Sequence, residues 1–159
     1  MLRVTGAQSE GELVRIEFSA APDSRVISHR HLLQTERFDV IEGRLRWRIG
    51  ERTIEGGPGS SVEIPPGVPH GFRNAGAGDA RFLVEFRPAL RTEDLFAELC
   101  QLERDATSLR TLRGNLARLR ALAAEHGDGF FFLAAVPIWL QRKLVAASGH
   151  PPPSEPISA

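Results

Sequence analysis

The 159-residue chain has no tyrosine and one cysteine, Cys100. A single thiol excludes an intramolecular disulfide and a cysteine-rich zinc site, and it suits a reducing compartment. The missing tyrosine removes a phenol from the set of possible acid–base groups. Neither sign of charge is in excess: 20 Lys+Arg stand against 20 Asp+Glu. That balance points away from nucleic acid or an anionic membrane as the main partner and toward a small molecule. No stretch reaches the roughly 18 apolar residues of a membrane span, and the opening "MLRVTGAQSE" lacks the apolar run of a secretory signal, so a cytoplasmic location is expected.

What is present divides the chain near residue 90. Up to Pro88 the hydrophobic period is two. Val14, Ile16 and Phe18 alternate with Arg15 and Glu17; Leu45, Trp47 and Ile49 alternate with arginines; Phe82, Val84 and Phe86 alternate with Arg81 and Glu85. Turn-forming stretches such as "APDS", "GGPG", "PPGVP" and "NAGAGD" recur between them. Short strands at this spacing predict an antiparallel sandwich or barrel over residues 1–88.

After Pro88 the period becomes helical. Thr92 suits an N-cap, Glu93 and Asp94 the first turn, and Leu95, Phe96, Leu99 and Leu102 one apolar stripe. A second helix is predicted from Asn115 to Gly127 and a third from Pro137 to about Ala147. Residues 89–147 thus read as a helical extension packed on the barrel's exterior, with "GFFFLAAVPIWL" joining that packing and a homodimer contact. Residues 148–159, "GHPPPSEPISA" from Gly149 on, read as a disordered tail. His126 and His150 have no sequence partners and read as surface residues.

Three of the five histidines form a pattern. In "VISHRHLL", read as a strand, His29 and His31 share a side while Arg30 takes the other. The alternation Glu36, Phe38, Val40 sends the Glu36 carboxylate inward. Downstream, Gly67 permits a turn and Pro69 fixes the backbone before His70. Three imidazoles and a carboxylate are costly to bury without a cation and form a nitrogen/oxygen set suited to a divalent transition ion: Fe, Mn, Ni, Zn or Cu.

These residues resemble the cupins. The first cupin motif, G-x5-H-x-H-x4-E-x6-G, is matched by His29, His31, Glu36 and Gly43, with Asp23 in place of the leading glycine. The second, G-x5-P-x-G-x2-H-x3-N, is matched throughout by Gly59, Pro65, Gly67, His70 and Asn74. The resemblance covers about residues 10–88 and implies a mainly β fold, a double-stranded β-helix or jelly-roll barrel, followed here by C-terminal α-helices. It also implies two functional classes. One is a mononuclear metal enzyme (oxygenase, isomerase, lyase or cyclase) acting on a small molecule; the other is a non-catalytic binding or sensor module with a structural metal.

Phe38, Trp47 and Phe72 fall on the inward phase and are expected to line an apolar pocket beside the metal, with Gln34 a further ligand contact. The expected ligand is largely hydrocarbon with one metal-chelating oxygen group. Some cupins use tyrosine as acid or base. Here that role falls to metal-bound water, to Glu36 acting as acid or base as well as ligand, or to Gln34, Arg73 or Glu85 near the mouth. Arg44, Arg46 and Arg48 read as a solvated stripe on the outside of their strand.

Overall fold

A computed structural model describes residues 2–105 and 132–133 of the chain. Ten strands and one helix occur among them: β1 (Leu2–Val4), β2 (Val14–Ala20), β3 (Arg25–Arg30), β4 (Thr35–Glu42), β5 (Leu45–Ile49), β6 (Arg52–Gly56), β7 (Ser61–Ile64), β8 (His70–Asn74), β9 (Ala80–Arg87), α1 (Thr92–Asp105) and β10 (Phe132–Leu133). They form two five-stranded antiparallel sheets. The first has the order β1-β2-β9-β4-β7 and the second β10-β3-β8-β5-β6, so the chain crosses between sheets repeatedly, as a jelly roll does.

The period-two pattern becomes the core directly. In the first sheet Ile16 stands opposite Val84, and Val84 opposite Phe38, so three adjacent strands aim apolar side chains at one level. Val14, Phe38, Val40, Phe82, Val84 and Phe86 are all at most 4% exposed. The second sheet answers with Leu45 and Trp47, and the aromatic rings interlock: Phe38 lies 5.9 Å from Trp47, 5.2 Å from Phe72 and 6.1 Å from Phe82.

Two motif positions explain themselves through backbone. Gly43 has φ 79°, and a Cβ there would lie 2.7 Å from Ala80 Cα, so the close approach of two turns excludes any side chain. Asp23, where the motif expects glycine, adopts φ 62°. Aspartate tolerates the left-handed region better than most residues, so the departure keeps the glycine conformation.

The extension differs from expectation in two respects. Helix α1 begins at Thr92 as predicted, with Leu95 buried, but Phe96 does not rest on an outer face. It packs 5.3 Å from Phe18 and 5.5 Å from Phe86, whose strands turn them inward, so α1 closes over the aromatic layer between the sheets. Phe132–Leu133, expected within helical and apolar packing, instead pair with Arg30 and His29 as β10 and cover the edge of β3. The predicted helices from Asn115 and Pro137, the 148–159 tail, His126 and His150 lie outside the described residues. No helix among the described residues is long and apolar enough to cross a membrane.

Candidate metal centre

His29, His31, Glu36 and His70 converge inside the barrel, each at most 5% exposed, with one potential ligand atom apiece lying within 4.8 Å of the others. Two sheets and a loop supply them. His29 and His70 are cross-strand partners on β3 and β8. Glu36 comes from β4 in the opposite sheet, and His31 follows just beyond the end of β3 rather than lying within the strand. The Gly67 amide donates to the His31 carbonyl at 2.6 Å, which ties the segment after β3 to the turn preceding His70. Gly67 holds φ 79° to make that turn.

A bulge makes the convergence possible. Val26 pairs with Phe72 and His29 with His70, so three steps along β3 match two along β8. Under strict alternation Arg25 and His29, four residues apart, would share a face. The extra residue turns His29 inward with His70 while Arg25 stays opposite Arg73 on the outer phase.

The protons identify what the cluster needs. His70 Nδ1 lies 2.8 Å from the Val68 carbonyl, which can only accept, so Nδ1 carries the hydrogen and donates it. Nε2 of the same ring lies 2.6 Å from Glu36 Oε2. A neutral imidazole has no second proton for that contact. A lone pair and a carboxylate therefore face each other unless a cation, a second proton or a metal ion, joins them. His31 Nε2 is also within 3.3 Å of the same oxygen. Burial raises the Glu36 pKa, but where a second proton is the cation that joins them, the hydrogen bonds and positive charge of His31 and His70 bring it down to about 2. At neutral pH the carboxyl is thus an anion, in the form that ligates metals.

The donor set passes a simple fit test. Bonds of about 2.0–2.3 Å place two donors on one ion at most about 4.6 Å apart. Shifts of a few tenths of an ångström in the present cluster satisfy that limit. The Val68 carbonyl is the outer partner that fixes the His70 tautomer and leaves Nε2 free to ligate; a backbone acceptor of this kind leaves no signal in sequence.

The remaining expected residues are placed as follows. Phe38 and Trp47 are fully enclosed and Phe72 is partly buried, all in the aromatic layer. Gln34 is 1% exposed, and its amide nitrogen donates to the Pro88 carbonyl at 2.8 Å and to Thr92 Oγ1 at 2.7 Å, joining the residue before β4 to the start of α1. Arg73 is exposed on the outer phase of β8, and Glu85 lies between Arg15 and Arg87 on the outer phase of β9, so neither reaches the histidines. Asn74, the last residue of the second motif, is a structural clamp: its amide donates to the carbonyls of Ala20 and Gly78 and its oxygen accepts from the Gly76 amide.

Residues 16–86 match the family model described as a cupin domain. Among solved structures the chain is similar to KdgF from Halomonas sp. at 15% identity, with a TM-score of 0.51 over 55% of this chain and 76% of that one. It is similar to the Schizosaccharomyces pombe Cnp3 cupin domain at 10% identity, with a TM-score of 0.51 over 59% and 66%. The protein TT1209 from Thermus thermophilus is 28% identical, with a TM-score of 0.48 over 50% and 75%. At these identities the first two likenesses bear on the fold alone. No curated protein matches the chain.

Proposed function

Since the chain belongs to the cupin superfamily through residues 16–86, we propose that His29, His31, Glu36 and His70 hold one divalent transition ion, and that the protein is a mononuclear metal enzyme. Its substrate, in this reading, is a small, largely apolar molecule with a metal-chelating oxygen group. The observation that carries the metal is the facing pair of the Glu36 carboxylate and the His70 Nε2 lone pair, which calls for a cation between two groups that are both buried. The ion would supply Lewis acidity or a site for dioxygen.

The chain's own groups do the rest. His70 is held by Val68, so its ring cannot turn away. Glu36 is the one carboxylate in the cluster and is the group available to take or return a proton when a ligand enters. The Trp47 indole nitrogen is buried with no acceptor among the described residues, which leaves a donor for a ligand oxygen beside the aromatic rings. Phe38 and Phe72, in contact with one another, complete that apolar wall.

The near-complete burial of all four donors favours one alternative, a binding or sensor cupin whose ion is structural. The two readings separate on water access. In protein loaded with Mn(II), water-proton relaxation should reveal a rapidly exchanging coordinated water, and small apolar carboxylic acids should displace it. Oxygen-uptake and product screens with those acids then test turnover. A loaded site with no exchangeable water and no response to the acids would reject the enzymatic reading in favour of the structural one.

A further inference from the structure

On the back of the same sheet, arginines from three adjacent strands meet. Arg25 on β3 stands opposite Arg73 on β8, and Arg73 stands opposite Arg46 on β5, so one row across the sheet consists of three cations. Arg48 adds a fourth in the neighbouring row, where its partner on β8 is Gly71 and the floor is bare backbone. Together with Ser28 these residues line a concavity of about 460 Å³. Val26, Thr53, Trp47 and Phe72 complete the lining, and none of the four candidate metal donors is part of it, so this cavity is distinct from the histidine cluster.

Like charges directly opposite in a sheet are destabilising, with side chains in register only about 5 Å apart. Proteins usually offset such a row with carboxylates, and here one is present: Glu55 pairs with Arg46 and reaches Arg44 at 3.7 Å. Arg25, Arg48 and Arg73 make no ion pair among the described residues. Three uncompensated guanidinium groups therefore converge on a volume within the range of about 300–1,000 Å³ typical of small-molecule sites.

We propose that this outer cavity binds a small phosphorylated anion, separately from the metal centre. The planar guanidinium fork matches phosphoryl oxygens two at a time, and several forks around one concavity select a compact ligand carrying two or more charges over an isolated carboxylate. A nucleic-acid track fits less well. The chain as a whole has no excess positive charge, and the outer face of the other sheet pairs its arginines with carboxylates, so the cationic surface does not continue.

Isothermal titration of the full-length chain with inorganic pyrophosphate tests the proposal, with citrate and a short single-stranded oligonucleotide as comparison probes. One saturable equivalent of pyrophosphate per chain is expected. Arg48→Gln and Arg73→Gln alter exposed side chains and should each weaken binding at least tenfold, with melting temperature retained. His70→Ala should leave the affinity unchanged, since that side chain lies on the other face. Absence of saturable binding, or equal binding in both arginine variants, overturns the site. Citrate binding as tight as pyrophosphate overturns the phosphoryl preference, and tighter binding of the oligonucleotide overturns the small-ligand assignment. Loss of binding in His70→Ala assigns the anion to the metal centre instead and overturns the proposal.

Discussion

The two sheets carry arginines on their outer faces and treat them in opposite ways. On the first sheet Glu17 pairs with Arg3 and Arg81, Glu85 with Arg15 and Arg87, Asp39 with Arg37, and Glu42 with Arg81. On the second, among the described residues, a single glutamate serves Arg44 and Arg46 while Arg25, Arg48 and Arg73 have none. The inner faces repeat the contrast. Apart from Glu36, the first sheet turns in mostly valines, isoleucines and phenylalanines. The second turns in His29 and His70, which face Glu36 from across the barrel. Outer-face charge is thus closed locally on the first sheet and partly open on the second, while the buried inner cluster is shared, with Glu36 supplied by the first sheet and His29 and His70 by the second. The first sheet supplies most of the apolar core, and the second carries most of the groups proposed to bind ligands.

The largest effect expected from breaking this division is on the scaffold. Phe82, 1% exposed and stacked near Phe18, Phe38 and Phe72, should cost about 3–5 kcal/mol when replaced by alanine. Urea unfolding measures that loss, while ion affinity in the folded variant should change little. The reverse is expected for His70→Ala, which should lower affinity for the divalent ion by more than about 100-fold, beyond the 10–100-fold typical of outer partners, without a comparable loss of metal-free stability. If Phe82→Ala abolished ion binding in folded protein, the separation of scaffold from site would fail.

Acid should act on the inner cluster that the two sheets share. The folded pKa of Glu36 is about 2, below the ordinary 4.5, so the unfolded chain takes up this proton first as pH falls. The stabilisation is fully present above about pH 4.5 and is lost between there and about pH 2. Thermal melts of metal-free protein should show that slope, and Glu36→Gln should remove the part of it due to this group. The smallest effect belongs to the closed outer face: Glu85→Gln should cost about 1 kcal/mol or less, and the difference from wild type should shrink with added salt.

What is legible in sequence depends on range. The buried cluster of candidate metal donors is, because two motifs fix its members at short spacings and the strand period sends most of them inward; so are the jelly roll and the start of α1 at Thr92. His31 reaches the expected place from beyond the strand, a detail that spacing cannot register. The arginine row is hidden because Arg25, Arg46 and Arg73 are neighbours only through the pairing of β3, β8 and β5, and the bulge in β3 decides which way Arg25 points. Alternation marks "RLRWRIG" as a stripe on one strand, and the sheet turns it into one side of a cavity. Gln34 reads as a ligand contact through its nearness to the motif, whereas its amide nitrogen is taken by Pro88 and Thr92, 54 and 58 residues away.

Whether His29, His31, Glu36 and His70 hold an ion is read from the ion content of the protein after loading with a divalent transition metal and desalting, measured per chain for the wild type and for His70→Ala. One retained equivalent is expected in the wild type, accompanied by a rise in melting temperature, and neither the ion nor the rise in His70→Ala. A wild type that retains no stoichiometric ion, or a variant that retains the same equivalent, would contradict that assignment.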